Sequence, residues 1–171
     1  MAGSEGRPAG NGALDGGAPA GAITDVEKMA AGAPAQQGSI EKMTLVGCAA
    51  FLMMNTPTHK HVFISDLEWC VIPPIALGQF HLWRRQGVPV GFASWAFLSE
   101  AAEARVRSGS LRLAPDDWNS GDRLWLIDFL MPFGGQQEGM MDLRNRVLAG
   151  KKVMTVQRSP DGGLSFTQWG A

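Results

Sequence analysis

The chain has 171 residues, 45% of them hydrophobic and 18% charged, with 15 basic and 16 acidic side chains for a net charge of −1. That length suits one ordinary domain with a substantial core, and a balance so near neutrality excludes a protein that grips nucleic acid through bulk positive charge. Two cysteines, Cys48 and Cys70, are too few for a disulfide framework and fit buried small side chains better.

The first 39 residues are mostly Gly, Ala, Pro and Ser. They lack the apolar surface to offset ordering entropy, so residues 1–39 read as a disordered arm and residues 40–171 as a single domain. Ser39 with Glu41 and Lys42 behind it starts a helix over Ile40 to Met54, which Asn55 and Pro57 close. Its apolar run, Leu45 to Met54, is too short to span a bilayer and lies too far inside the chain for a secretory signal. In "EWCVIPPIALG" the pair Pro73-Pro74 implies a turn.

From about Gln79 to Ala96, apolar and aromatic residues flank Gln86-Gly87, the pattern of a β-hairpin. "SEAAEARVRSG" opens on Ser99 as an N-cap and stops at Ser108-Gly109, a short surface helix. A loop, "LAPDDWNSGD", leads to "RLWLIDFLMPFGG", which reads as a strand buried on both faces. "QEGMMDLRNRVLAG" then reads as an amphipathic helix ending at Gly150, and "KKVMTVQRSPDGGLSFTQWG" as a second hairpin around Pro-Asp-Gly-Gly. The order helix, hairpin, helix, strand, helix, hairpin predicts an α/β (α+β) protein with a mixed, mostly antiparallel central sheet flanked by helices.

Asp128 stands alone among the large apolar residues of the buried strand. An ionised carboxylate there requires a partner, either an arginine such as Arg123, backbone amides, or a histidine that it would orient for proton transfer. His59 and His61 lie one residue apart in "TPTHKH", directly behind the first helix. In an extended segment such a pair puts both rings on one side and suits a metal, but nearby Asp66 and Glu68 do not complete a ligand set, so no metal is expected. His81 sits between Phe80 and Leu82 in the first hairpin and reads as a packing residue. No Gly-x-Ser-x-Gly elbow and no phosphate-cradling Gly-rich loop occur. A His and Asp dyad without its own nucleophile suits a transferase whose nucleophile belongs to the substrate.

Three stretches, "TPTH" behind an apolar helix, "VIPPIALGQFHLWRRQGVPVGFASWAFLS" and "LAPDDWNSGDRLWLIDFLMPFG", together resemble the RTX toxin-activating lysine acyltransferases of the hemolysin-activating protein C type. The resemblance runs over about residues 44–158, most of the chain outside the arm. It implies a GNAT-like acyltransferase fold and transfer of a fatty acyl chain from acyl carrier protein to internal lysines of an RTX protoxin in the bacterial cytoplasm. The acyl carrier protein is the donor, and no bound cofactor is implied. The family's catalytic histidine falls on His59 and its catalytic aspartate on Asp128; Thr56, where relatives often carry serine, and Arg123 are supporting candidates.

The resemblance also implies partners: the carrier protein, the protoxin or another lysine-bearing protein, and a possible homodimer, with no nucleic acid and no membrane span. Arg84, Arg85, Arg105, Arg107, Arg112, Arg144 and Arg146 are candidates for a face that docks the acidic carrier. Relatives often continue beyond the last strand, so the chain reads as C-terminally short for the family. The alternatives are an acyltransferase acting on a protein other than a toxin, and a non-catalytic binding protein that keeps the fold.

Overall fold

A computed structural model of the chain describes residues 34–158 and 163–170. The chain divides between Gly38 and Ser39, and the unit from Ser39 onward carries the sheet and the site. Of the arm expected over residues 1–39, everything up to residue 33 lies outside the described residues. The first helix, α1 (Pro34–Met54), starts at Pro34 rather than Ile40. A proline in a helix's first turn sacrifices no hydrogen bond, and Ala35, Gln36 and Gln37 favour helix.

After α1 come a 3₁₀ turn (Ile64–Asp66) and two short helices, α2 (Leu67–Cys70) and α3 (Ile72–Leu77). The turn expected at Pro73-Pro74 is instead the first turn of α3, where both rings fit because those N–H groups would be unpaired anyway. Gly78 ends α3 in the left-handed region, at φ 68°.

The first hairpin is β1 (Phe80–Arg85) and β2 (Val88–Leu98), joined by Gln86 and Gly87 at φ 51° and 82°. Positive φ at both turn residues matches the twist of the strands. Helix α4 (Glu100–Arg107) follows, with the Ser99 hydroxyl accepting from the Ala102 amide. The loop behind it contains a 3₁₀ turn (Pro115–Trp118) and leads to β3 (Arg123–Leu130).

The expected amphipathic helix is α5 (Gln136–Asp142), running on into a π-helical turn (Leu143–Val147) closed by the Leu148 amide on the Leu143 carbonyl, 2.8 Å. The wider turn lets Leu143 and Leu148, five positions apart, both enter the core. The second hairpin is β4 (Val153–Arg158) and β5 (Leu164–Trp169).

The five strands lie in chain order, antiparallel except for β3 and β4, which run parallel. That parallel pairing is short, Trp125 with Met154 and Leu126 with Thr155. One face of the sheet (Ala93, Trp95, Leu124, Leu126) packs under Leu143 and Leu148. The other carries two clusters: Phe92 and Leu130 against Leu52, Met53 and Val71, and Ala96, Leu98 and Trp125 against Val106, Leu113 and Trp118. A mixed, mostly antiparallel sheet with helices on both faces is the expected class, and it is consistent with a GNAT-like fold.

Candidate functional site

The chain leaves α1 through tight turns. The Thr56 amide donates to the Met53 carbonyl, and the amides of His59 and Lys60 both donate to the Thr56 carbonyl at 2.9 Å. Thr56 turns its hydroxyl back onto the Leu52 carbonyl, 2.8 Å, satisfying one of the free acceptors at the helix end. Its backbone thereby anchors His59, while its hydroxyl is engaged at the helix end.

Asp128 reaches the same place because β3 carries a bulge. Asp128 pairs with Ser94 and Leu126 with Trp95, so Ile127 has no opposite residue on β2. Strict alternation would send Asp128 to the α5 side with Leu124 and Leu126. The extra residue resets the alternation, and Ile127 and Asp128 both open onto one cavity on the opposite face.

His59 Nε2 lies 3.0 Å from Asp128 Oδ1, with the side chains 24% and 15% exposed. The second carboxylate oxygen accepts from the Ser94 hydroxyl at 3.2 Å. On the far side of the ring, Nδ1 is 2.8 Å from the Thr58 hydroxyl. An ionised carboxylate only accepts, so Nε2 carries the ring proton, Nδ1 presents its lone pair, and the Thr58 hydroxyl donates to it. The geometry thus fixes one tautomer and marks Nδ1 as the atom that can take a proton.

The cavity has a volume of about 570 Å³, typical of a small-molecule site. Its walls come from α1 (Met53), the turns behind it (Thr58, His59, Val62), α2 (Trp69, Cys70), α4 and its loop (Val106, Leu111), β3 (Trp125, Ile127, Asp128) and β4 (Val156). Burial first, then the charges of Asp128 and Asp66, push the Cys70 thiol up to about 12, so it stays protonated and a poor nucleophile.

The structure therefore brings His59 and Asp128 together and does not bring Thr56 or Arg123 to them. Arg123, at the other end of β3, pairs with Glu103 (2.9 Å) and Glu100 (3.4 Å). His61 is exposed and does not line the cavity. Among the described residues no three His, Cys, Asp or Glu side chains gather as a metal site. His81 packs edge-on against Trp83, 4.6 Å between centroids, and burial, then Arg146, lowers its pKa.

The seven arginines weighed as a docking face are spread over several elements, and several are already engaged. Arg105 pairs with Asp117 and Arg146 with Asp142, while Arg107 lies over Trp125 and Arg112 over Trp69. Two site residues escape sequence reasoning. Thr58, beside His59, carries a hydroxyl that simple adjacency would have flagged. Ser94 is the one hydroxyl within the apolar stretch "VGFASWAFL", and its polarity in a central strand was the available signal.

A family model described as the RTX toxin acyltransferase family matches residues 39–166. The chain is 30% identical over 132 residues to a lysine-acyltransferase of Vibrio cholerae, covering 75% of this chain and 86% of that one. It is 33% identical over 127 residues to a protein-lysine palmitoyltransferase of Bordetella bronchiseptica, covering 74% and 67%. Over 90 residues it is 44% identical to the leukotoxin-activating lysine-acyltransferase of Aggregatibacter actinomycetemcomitans, covering 53% of this chain and only 54% of that relative's length. With the matched segment embracing β1 to β4, the start of β5 and both halves of the His59–Asp128 pair, the chain belongs to the RTX toxin acyltransferase family.

Proposed function

We propose that this protein is a protein-lysine acyltransferase that moves a fatty acyl chain from acyl carrier protein to internal lysines of an RTX protoxin. The observation that carries the reading is the His59–Asp128 pair at the polar end of an otherwise apolar cavity. The relatives, lysine acyltransferases that include a leukotoxin activator and a palmitoyltransferase, support it.

The geometry supports direct transfer with His59 as the base. A lysine amine, ordinarily protonated below its pKa of about 10.4, enters in its neutral form from the solvent side of His59. Its nitrogen attacks the thioester carbonyl carbon, a C–N bond forms, and the tetrahedral intermediate expels the carrier's sulfur. The amine proton passes to His59 Nδ1, with the Thr58 hydroxyl moving aside or handing it on, and His59 then returns a proton to the leaving thiolate. Asp128 keeps Nε2–H in place and stabilises the imidazolium, as Ser94 steadies the carboxylate. The Thr58 hydrogen bond at Nδ1 favours this base role over attack by the imidazole itself.

The test is to incubate the protein with carrier protein bearing palmitoyl thioester and a candidate RTX protoxin, and to read acyl-lysine by mass spectrometry. His59→Ala and Asp128→Ala should each lower the rate by about a hundredfold or more, as loss of a positioned base does. Near-normal transfer by either variant would remove the assignment.

A further inference from the structure

We propose that the α4 end of the cavity, walled by Val106, Leu111 and Val156, sets the length of acyl chain that the protein accepts. The inference rests on the acyltransferase reading above and extends it to chain length, which neither the dyad nor the relatives' sequence match decides.

The hydrogen-bonded polar groups of the cavity stand at one end. Thr58, His59 and Asp128 are joined in a single hydrogen-bonded line, with Cys70 close enough to feel the Asp128 charge. Away from that end the walls are apolar. Both tryptophans present ring carbon, because Trp125 Nε1 donates to Glu103 and Trp69 Nε1 to Asp66. The ligand that fits is long and apolar with one polar, reactive end.

Its course follows β3. Trp125 and Asp128 lie opposite Ala96 and Ser94, two positions apart on β2, so about 7 Å along the strand separates them. A chain whose carbonyl lies at His59 therefore runs beside Ile127 toward Trp125, past Val156 on β4, where β3 and β4 are no longer paired. There it meets the end wall. Val106 is fully buried on α4, a helix tied down by its Ser99 cap and by Arg107, whose guanidinium lies 5.3 Å from the Trp125 ring and 5.4 Å from that of Phe166. The end cannot yield by moving α4 without uncovering this cation stack. Leu111 and Val156 complete the wall from only half-buried positions, so a larger side chain at either one narrows the cavity with little disturbance of the core.

The experiment measures binding apart from catalysis. Octanoate and palmitate are titrated calorimetrically into the full chain and into Leu111→Phe, Val156→Phe and Leu111→Ala, with thermal unfolding confirming that each is folded. The narrowed variants should bind palmitate at least tenfold more weakly and octanoate within about twofold of the parent; Leu111→Ala should retain palmitate. Unchanged palmitate binding in a folded narrowed variant, or equal loss of both acids, overturns the proposal. If one phenylalanine variant does not fold, the other and Leu111→Ala still decide. Mass spectrometry of acylated lysine separates this idea from the parent reading. Length-dependent binding without any transfer supports the chamber and removes the enzymatic assignment. Transfer whose preferred chain length ignores Leu111 and Val156 keeps the assignment and overturns the chamber.

Discussion

Asp128 uses each of its oxygens on a different partner, and the partners differ in kind. His59 is a partly exposed imidazole, whereas Ser94 is a fully buried hydroxyl that donates. Ser94→Ala leaves a buried carboxylate oxygen without its donor and should cost about 1–3 kcal/mol of stability, measured by urea denaturation. The two threonines separate in the same spirit. Thr58→Val should slow acyl transfer about tenfold, just over 1 kcal/mol of barrier, with Thr58→Ser close to the parent, while Thr56→Val should leave the rate within about twofold. At pH 8, iodoacetamide should modify Cys48 before Cys70, as read by peptide mass spectrometry, because burial keeps the Cys70 thiol protonated to about 12. That Asp128 needs a partner was legible because a carboxylate inside "LWLIDFL" demands one, but the residues alone left Arg123, backbone amides and a histidine open, and only the family resemblance pointed to His59. Thr58 was passed over in favour of Thr56, since sequence spacing carries no information on which way a hydroxyl turns at a helix end.

At the scale of elements, the bulge in β3 decides where the chemistry lies. Deleting Ile127 makes Leu126 and Asp128 neighbours that alternate regularly, so Asp128 stays opposite Ser94 on the cavity side. Acyl transfer should persist at a reduced rate with one cavity wall lost, whereas loss of transfer in a folded variant would show that the bulge itself aims the carboxylate. Nothing in an apolar run announces which residue will bulge, so this could not be read beforehand. The first hairpin was legible because Gln86-Gly87 fixes its register, and Pro73-Pro74 was misread because two prolines start a helix as readily as they make a turn.

On the other face of the sheet, Asp142 joins α5 to β1 by accepting from Trp83 Nε1 at 2.8 Å and pairing with Arg146 at 2.7 Å. Arg146, then the Trp83 hydrogen bond, hold its carboxyl at about 2. A carboxylate with a depressed folded pKa lends stability above its ordinary value of 3.8 and loses it as pH falls toward about 2. Asp142→Asn should remove that part of the acid sensitivity, about 1 kcal/mol for a group that solvent partly screens, in acid titrations followed by circular dichroism.

At the largest scale, the sheet is two antiparallel pieces, β1-β2-β3 and β4-β5, joined by a parallel seam of two residue pairs. Hydrogen exchange should register this: amides of β4 and β5 should exchange before those pairing β2 with β3, which have the longer ladder and lie deeper in the sheet. The same seam makes the chain divisible. Gly150 and Lys151 are exposed in the connection that precedes β4, so a break there cuts no strand. A fragment ending at Gly150 would hold His59, Asp128, Ser94 and Thr58, while its complement would bring Val156 and the rest of the second hairpin. Acyl transfer recovered only on mixing the two would turn the enzyme into a reporter of proximity, with catalysis as its signal.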